Sequence, residues 1–408
     1  MSDVRRTVDA VWRIESARIV ATLAKLTGDI GVAEDLAQAA VVDALSQWPE
    51  SGVPRNPGAW LTAVAKRKAI DSWRRQERLD ERYRAMAHQL EEASDDEWRA
   101  LDDDVLRLVF TACHPLLSRE AQVPLTLRVV GGLTTDEIAR MLLVPVATVQ
   151  QRIVRAKRTL GAAHVPFETP DPSEWGERLG AVLAVMYLIY TEGYAATRGD
   201  RWIRPELANE ALRLGRVLAS LMPREPEVHG LVALMELQAS RFPARVAGDG
   251  SPILLADQDR SRWDRTQIER GRSALRKADA VGRGRGSYSL QAAIAECHAI
   301  ASSVEETDWA RVVLLYEALG QLAPSPVVEL NRAVAVSMAT GPASALPIID
   351  RLASDGGLRG SHLLPSVRGQ LLAQLGRLEE ARSELLTAAG LAANERESAV
   401  LQAKAAAL

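Results

Sequence analysis

Apolar positions recur at every third or fourth residue along most of this 408-residue chain, with polar residues between them. In the segment 207–221, for example, they fall at Leu207, Ala211, Leu214, Val217 and Leu221, which lie on one face of a helix. Short runs rich in glycine and proline interrupt this pattern. The composition agrees with it, because Ala, Leu, Arg and Val are abundant and aromatic residues make up only 4%. The pattern predicts an all-α protein.

The segment 131–160 gives the most detailed prediction. Its sequence is GGLTTDEIARMLLVPVATVQQRIVRAKRTL. Thr134 or Thr135 can cap a first helix whose first turn is acidic, and Val144-Pro145 ends that helix. In the second helix Val149, Ile153 and Ala156 form a narrow apolar stripe. The polar residues predicted to face outward are Gln150, Gln151, Arg152, Arg155, Lys157 and Arg158.

Two helices joined by a tight turn, the second with a basic and amide-rich outer face, describe a helix-turn-helix. Glutamine can pair with adenine and arginine with guanine, while other basic groups bind phosphates. The pattern therefore predicts DNA binding. The alternative is a helical hairpin whose charged face meets only solvent.

The net charge of −3 conceals strong local differences. The segment 54–83 carries eight basic and four acidic residues, and 138–167 carries five basic residues and no acid. Between them, 86–105 holds eight acids and one arginine. Two basic segments joined by an acidic one suggest two sites for a polyanion. Charge alone favours the alternative, which is three solvated helix faces.

Several classes of protein are disfavoured. Two cysteines provide neither a disulfide framework nor a thiolate zinc site, and no histidine pair has metal-ligand spacing, so we predict no metal and no cofactor. The longest apolar run, 179–190, is shorter than the ~20 residues of a membrane span, and the start lacks a signal peptide's apolar stretch. We therefore expect a soluble, cytoplasmic protein with no membrane contact.

No catalytic constellation stands out, so we expect no enzymatic activity. One mixed acidic and basic segment remains open between a small polar site and a capped loop with internal salt bridges. Its residues are Asp257, Asp259, Arg260, Arg262, Trp263 and Asp264.

Two blocks of sequence resemble a known family. EIARMLLVPVATVQQRIVRAKRTL is similar to region 4 of the extracytoplasmic-function (ECF) sigma factors of the sigma-70 family. AEDLAQAAVVDALSQW, followed by NPGAWLTAVAKRKAIDSWRRQER, resembles their region 2. The two blocks occur in the family's order, with a short acidic linker between them, and cover roughly the first 165 residues.

The resemblance implies roles for region 2 residues. Asp35 and Gln38 correspond to residues that bind core RNA polymerase, while Ala39 stands where the family usually has Glu. The loop 50–56 corresponds to the loop that captures a base flipped out of the −10 element, and the following helix would hold the opened strand. The implied −10 residues are Ser51, Gly52, Val53, Trp60, Lys66, Arg67, Lys68, Arg74 and Arg75, with Trp48 also near the loop.

In region 4 the resemblance assigns −35 base reading to Gln150, Gln151, Val154 and Arg155. Arg152, Lys157 and Arg158 would bind phosphates, and Thr148 completes the implied recognition-helix set.

The remainder, 166–408, reads as further helices. LPSVRGQLLAQLGRLEEARSELLTAAGLAANERE looks like a degenerate tetratricopeptide repeat, with Gly376 in its turn and Asn394 near its end. Its predicted packing spine is Leu371, Leu375, Leu378, Ala381 and Leu385. A subgroup of these sigma factors carries such an extension, which implies a fused regulatory domain and a regulatory protein or peptide as partner.

The predicted domains are 1–85 (region 2 helical bundle), 86–104 (acidic linker), 105–165 (region 4 helix-turn-helix) and 166–408 (helical extension with tetratricopeptide-like repeats). The predicted function is that of an ECF-type sigma factor, which binds core RNA polymerase, recognises the −35 duplex and melts the −10 element to initiate transcription. The alternative is a DNA-binding regulator or adaptor that does not open DNA.

Overall fold

The computed structural model describes residues 2–75, 97–142, 144–171, 173–194, 203–248, 250–253, 255–356, 358–392 and 395–408. Within these ranges the regular secondary structure is helical and there is no strand, apart from one isolated bridge between Val246 and Pro252. The predicted all-α class is confirmed. None of the helices in the described ranges combines the length and apolarity needed to cross a membrane.

The chain forms two compact units, Met1–Leu188 and Ile189–Leu408. The first unit contains α1 (Ser2–Thr27), α2 (Ile30–Ser51), α3 (Pro57–Arg75), α4 (Glu97–Ala112), α5 (Arg119–Val129), α6 (Thr135–Leu142), α7 (Val146–Ala162) and most of α8 (Trp175–Tyr194). The boundary between the units falls within α8.

Helices α1, α2 and α3 pack around large buried side chains, among them Ile19, Trp48 and Leu61. Asp29 caps α2 by accepting hydrogen bonds from the amides of Gly31 (2.6 Å) and Val32 (3.1 Å). The predicted loop 50–56 is wrong in its first part, since α2 continues through Pro49 to Ser51. A proline in the last turn removes only one hydrogen bond there, and the burial of Trp48 stabilises the helix at this point.

The predicted acidic linker also needs correction at its end. Helix α4 begins at Glu97 rather than near residue 105. Asp104 is 4% exposed and lies between Lys25 of α1 (3.1 Å) and Arg107 (2.5 Å). Two cationic partners allow this carboxylate to be buried, so it belongs to the packed helix rather than to a solvated spacer. Residues 76–96 lie outside the described residues.

The second unit continues with α9 (Pro205–Leu221), α10 (Pro226–Ala239), α11 (Arg265–Ala280), α12 (Ser287–Ile300), α13 (Trp309–Leu322), α14 (Pro326–Thr340), α15 (Pro342–Ser354), α16 (Leu363–Gln374), α17 (Leu378–Leu391) and α18 (Glu395–Ala406). Both described cysteines, Cys113 and Cys297, are free and buried, as expected for small core residues.

The helix pair α16–α17 shows where the predicted repeat spine succeeds and fails. Leu371, Ala381 and Leu385 are buried, but Leu375 and Leu378 are 36% and 45% exposed. These two leucines flank Gly376, whose φ of +75° turns the chain between the helices. The chain leaves the helical path there, so the spacing of the pattern no longer places both leucines in the core. Asn394 lies outside the described residues.

Candidate nucleic-acid interface

A reciprocal capping box begins the first helix of the helix-turn-helix. Glu137 Oε2 accepts hydrogen bonds from the Thr134 amide (2.8 Å) and hydroxyl (2.9 Å), and Thr134 Oγ1 accepts one from the Glu137 amide (3.2 Å). Burial opposes ionisation of Glu137, but these hydrogen bonds and the Arg13 guanidinium outweigh it and lower the pKa of the carboxyl. Thr134 is therefore the cap that the sequence left open between two threonines.

The second helix, α7, has its predicted apolar stripe. Val149, Ile153, Ala156 and Leu160 are between 0% and 5% exposed, so this face fixes the helix on the unit's core. Pro145 stands directly before the helix, at φ −57°. Since one face is committed to packing, the residues on the opposite face are held in a fixed, solvent-facing array.

The outer face of α7 forms a shallow depression of about 370 Å³. Its lining residues are Ala147, Gln150, Gln151, Val154, Arg155 and Arg158. Val154 is 54% exposed at its centre. In the part of the chain that the structure describes, Arg155 and Arg158 form no ion pair, and the side chains of Gln150 and Gln151 form no hydrogen bond. Four of the predicted −35 residues thus form one surface with unused donors and acceptors. Thr148 is half-buried beside it.

Two predicted phosphate-binding residues are engaged elsewhere. Arg152 pairs with Glu120 at 2.9 Å. The expectation that Lys157 faces outward is wrong, because its side chain is only 15% exposed and its Nζ binds Glu34 and also Asp35 (3.1 Å). Lys157 lies one turn after Ile153, at the edge of the buried stripe, which directs it towards α2 rather than away from the unit.

The Glu34 carboxylate joins the two halves of this unit. Its side chain is 5% exposed, and Oε1 accepts hydrogen bonds from Arg128 at 2.8 Å while Oε2 accepts one from Lys157. Arg128 also donates to the Leu133 carbonyl (3.1 Å), just before the capping box. With Asp35, this group contains two acids and two bases. We call these four residues the Glu34 cluster.

Further contacts hold α1 against the helix-turn-helix. Arg13 pairs with Glu137 at 2.5 Å. Gly132 has φ +70°, and a Cβ built there would lie 2.4 Å from the Ser16 hydroxyl, so only glycine fits. The segments that resemble regions 2 and 4 are therefore packed together, in a closed arrangement with polar contacts at several points.

The predicted −10 loop is short. It spans 52–56, between α2 and α3, with Gly52 at φ +80° and Val53 42% exposed. Ser51 ends α2 and donates a hydrogen bond to the Gln47 carbonyl (3.0 Å). Asn56 Oδ1 caps α3 by accepting from the Ala59 amide (3.1 Å).

The two tryptophans near this loop differ in availability. Trp48 is 1% exposed, so it cannot stack on a base without leaving the core. Trp60 is half-buried and packs edge-on against Trp48, with ring centroids 5.4 Å apart. Of the two, Trp60 alone retains exposed surface beside the loop.

The predicted strand-binding residues of α3 are only partly described. Arg67 is exposed, Lys66 is half-buried, and Lys68 pairs with Asp43 of α2 at 2.9 Å. The side chains of Arg74 and Arg75 lie outside the described residues. The loop and the exposed part of α3 thus present a modest basic surface.

The predicted polymerase contacts lie on α2. The Asp35 side chain is 78% exposed although Lys157 binds it, and Gln38 is half-buried with no hydrogen-bond partner for Nε2. Sequence reasoning singled out Asp35 but missed Glu34 and Arg128. One signal for Glu34 was present, because it lies on the same helical face as Ala33, Ala37 and other buried alanines, where a carboxylate requires a buried cation.

Comparison with protein families identifies the first unit. Residues 13–79 match the family "Sigma-70 region 2", and residues 107–160 match "Sigma-70, region 4". The chain belongs to the sigma-70 family. As a sigma-70 family factor, it has a role in transcription. Residues 178–279 match a family of unknown function, DUF6596, so this sigma-70 factor carries a C-terminal extension.

A curated relative shares nearly the whole length. "Uncharacterized protein R00370" of Rhizobium meliloti (strain 1021) is 43% identical to this sigma-70 factor over 386 residues, covering 92% of this chain and 89% of the relative. No solved structure matches the chain.

Among the described residues, no group of three or more His, Cys, Asp or Glu side chains is arranged to hold a metal ion.

Proposed function

We propose that this protein is an ECF-type sigma factor that binds core RNA polymerase, recognises the −35 element through α7 and opens the −10 element through the 52–56 loop and α3. It makes no covalent change. Its action consists of binding energy directed to promoter positioning and strand opening.

The outer face of α7 carries this proposal. Amide and guanidinium groups without partners in the described part of the chain surround an exposed valine on a helix fixed by its opposite face. Gln150, Gln151 and Arg155 offer the hydrogen bonds that base edges of the major groove accept and donate, and Val154 suits a thymine methyl group. Arg158 suits a phosphate.

The closed arrangement has a direct consequence for this function. The −35 and −10 elements lie about 25 base pairs apart by the positions that name them, which is ~85 Å of duplex at 3.4 Å per pair. Lys157 binds Asp35, so the path from Ser51 to Gln150 runs along α2 to Asp35, through the two side chains of the ion pair, and along α7 from Lys157. The length of this path limits the separation between Gln150 and Ser51 to about 50 Å. The closed form cannot contact both elements at once, and full promoter binding therefore requires the Glu34 cluster to open.

The C-terminal unit fits a fused regulator in this proposal. A covalently attached domain acts at a high effective concentration, so it can favour the closed or the open form without a separate protein. Its stacked helix pairs resemble a tetratricopeptide-like surface, which suits a regulatory peptide or protein as partner.

The test is transcription by purified core RNA polymerase from a library of promoter fragments, with the full-length chain and with Arg155→Ala. We expect initiation at defined −35/−10 sites, permanganate-reactive thymines at the −10 element, and loss of the −35 preference in Arg155→Ala. Arg224→Ala, which removes an exposed arginine of the second unit, is the matched control and should transcribe normally.

Specific binding to closed duplex without initiation or permanganate reactivity would replace this proposal with the DNA-binding regulator. Initiation that is insensitive to Arg155→Ala would support the sigma role but overturn the assignment of −35 recognition to this surface of α7.

A further inference from the structure

A cavity of about 240 Å³ lies within the second unit. The loop before α11, the end of α12, the start of α13, and the helices α14 and α16 contribute its walls. Its floor includes Arg260 and His298, which are 5% and 8% exposed, and its mouth includes Met338, which is 40% exposed.

Arg260 is a buried cation without a carboxylate partner in the described chain. Nη1 donates to the carbonyls of His298 (2.8 Å) and Ala301 (3.0 Å), and Nη2 donates to the Thr307 hydroxyl (3.2 Å). Nε has no hydrogen-bond partner. Of the five N–H donors of a guanidinium, one on Nε and one on Nη2 are therefore unused, and donors on two nitrogens of one guanidinium suit the two oxygens of a carboxylate.

Other charges near this group reinforce its preference for an anion. Arg241 and Arg260 approach the same Trp263 ring, with Cζ atoms 5.8 Å and 5.2 Å from its centroid. Arg241 forms no ion pair within the described residues. Burial lowers the pKa of the Arg260 guanidinium, and the Arg241 charge lowers it further, while exposed Glu305 opposes this only weakly. The local balance is positive.

His298 adds no charge to the cavity near pH 7. Burial, with the positive charges of Arg241 and Arg260, lowers the pKa of the imidazole to about 4, so the ring is neutral near pH 7. Its Nδ1 has no hydrogen-bond partner. The ring packs edge-on against Trp309, with centroids 5.2 Å apart.

The remaining walls are largely apolar. They include Leu255, Val304, Trp309, Val334 and Leu371. Apolar walls with a few converging polar groups are typical of sites for small organic molecules. We propose that this cavity binds a small organic acid, with its carboxylate at Arg260 and its apolar body between Trp309 and Leu371. Nε is covered by its neighbours, so bidentate binding requires the guanidinium to rotate.

This proposal concerns the second unit and does not depend on the DNA-binding role. Its test is calorimetric titration of the full-length chain with two acids, phenylacetate and hexanoate, and with their neutral amides, phenylacetamide and hexanamide. We expect at least one acid to bind with a Kd in or below the millimolar range, at least tenfold more tightly than its amide. Tenfold corresponds to ~1.4 kcal/mol.

Two variants test the location. Arg260→Gln removes the charge and should abolish the difference between acid and amide. Because Arg260 also holds backbone carbonyls, this variant is open to misfolding, so Met338→Trp provides a second test by filling the mouth of the cavity. Met338→Trp should abolish binding of acid and amide alike. Leu314→Trp makes a similar change at a 65% exposed position outside the lining and should bind normally.

Equal affinity for acid and amide would overturn the assignment of a carboxylate to Arg260. Unchanged binding in folded Met338→Trp would place the site elsewhere. Absence of binding by both acids up to about 10 mM would also overturn the proposal. A further arm uses N-acetyl-glycyl-phenylalanine, and tighter binding of this peptide than of either acid would show that the cavity recognises a chain terminus instead.

Discussion

Replacing Lys157 with methionine tests whether the Glu34 cluster holds the first unit closed. The change removes the charge but keeps most of the apolar stem. The Asp35 contact contributes ~1 kcal/mol or less, because that carboxylate is 78% exposed. The Glu34 contact is worth more, since both side chains are mostly buried, and a hydrogen bond between charged groups contributes ~1.5–3 kcal/mol.

A loss of ~2 kcal/mol changes the equilibrium between closed and open forms by a factor of about 30. The assay is single-molecule energy transfer between dyes at Val42→Cys and Leu116→Cys, which are exposed positions on α2 and between α4 and α5. The natural cysteines do not compete for the dyes, because both thiols are buried and burial raises the pKa of each. We expect the low-transfer population to increase up to about 30-fold in Lys157→Met.

The matched control is Arg158→Met, at the next position on the outer face of α7, which should leave the transfer distribution unchanged. A double-mutant cycle with Glu34→Gln should give a coupling of ~2 kcal/mol. The reasoning is refuted if folded Lys157→Met has the distribution of the parent protein, or if Arg158→Met opens the unit to the same extent.

Three other predictions follow from the described contacts. Ile153→Ala should destabilise the helix-turn-helix by ~2–5 kcal/mol in urea unfolding, because it removes a buried side chain from the stripe, and equal stability would contradict that packing. Arg155→Ala should reduce discrimination against a wrong base by ~1–3 kcal/mol. Arg158→Ala should instead weaken binding to all duplexes equally and lower the slope of log K against log salt concentration by about 1. Anisotropy titrations at several salt concentrations measure both effects. Burial raises the pKa of the Cys113 thiol to about 11, so at pH 8 about one molecule in a thousand carries the thiolate, and iodoacetamide should modify this residue only after denaturation. Rapid labelling of the native protein, detected by mass spectrometry, would show that the site is not buried.

Helical periodicity was sufficient to predict the fold class and the core of the candidate interface. Val149, Ile153 and Ala156 repeat at helical spacing, so their burial and the exposure of Gln150, Gln151 and Arg155 could be read directly. Residues at the edge of a stripe are harder to predict. Lys157 has a long, charged side chain and reads as solvent-facing, yet a buried acid on another helix draws it inward.

Long-range pairs explain the remaining differences. Glu34 and Arg128 are 94 positions apart, and Glu34 and Lys157 are 123 apart, so no local pattern connects them. Arg260 is similar, since residues 257–264, all of which the structure describes, form none of the predicted internal salt bridges. Its partners are carbonyls and a hydroxyl from residues 298–307. Asp259 caps the short helix Arg260–Arg262, and Asp264 caps α11. The capped-loop part of that prediction is confirmed.

Helix α7 uses different faces for different tasks, and this separation bears on how the protein can change. The buried stripe and Lys157 fix the helix within its unit, while six residues on the other side meet solvent. Substitutions among those six alter neither the packing nor the Glu34 cluster. In the proposed role, promoter preference can therefore drift during evolution, or be redesigned, at little cost in stability, whereas the edge residue Lys157 is constrained by a helix more than a hundred residues away in sequence.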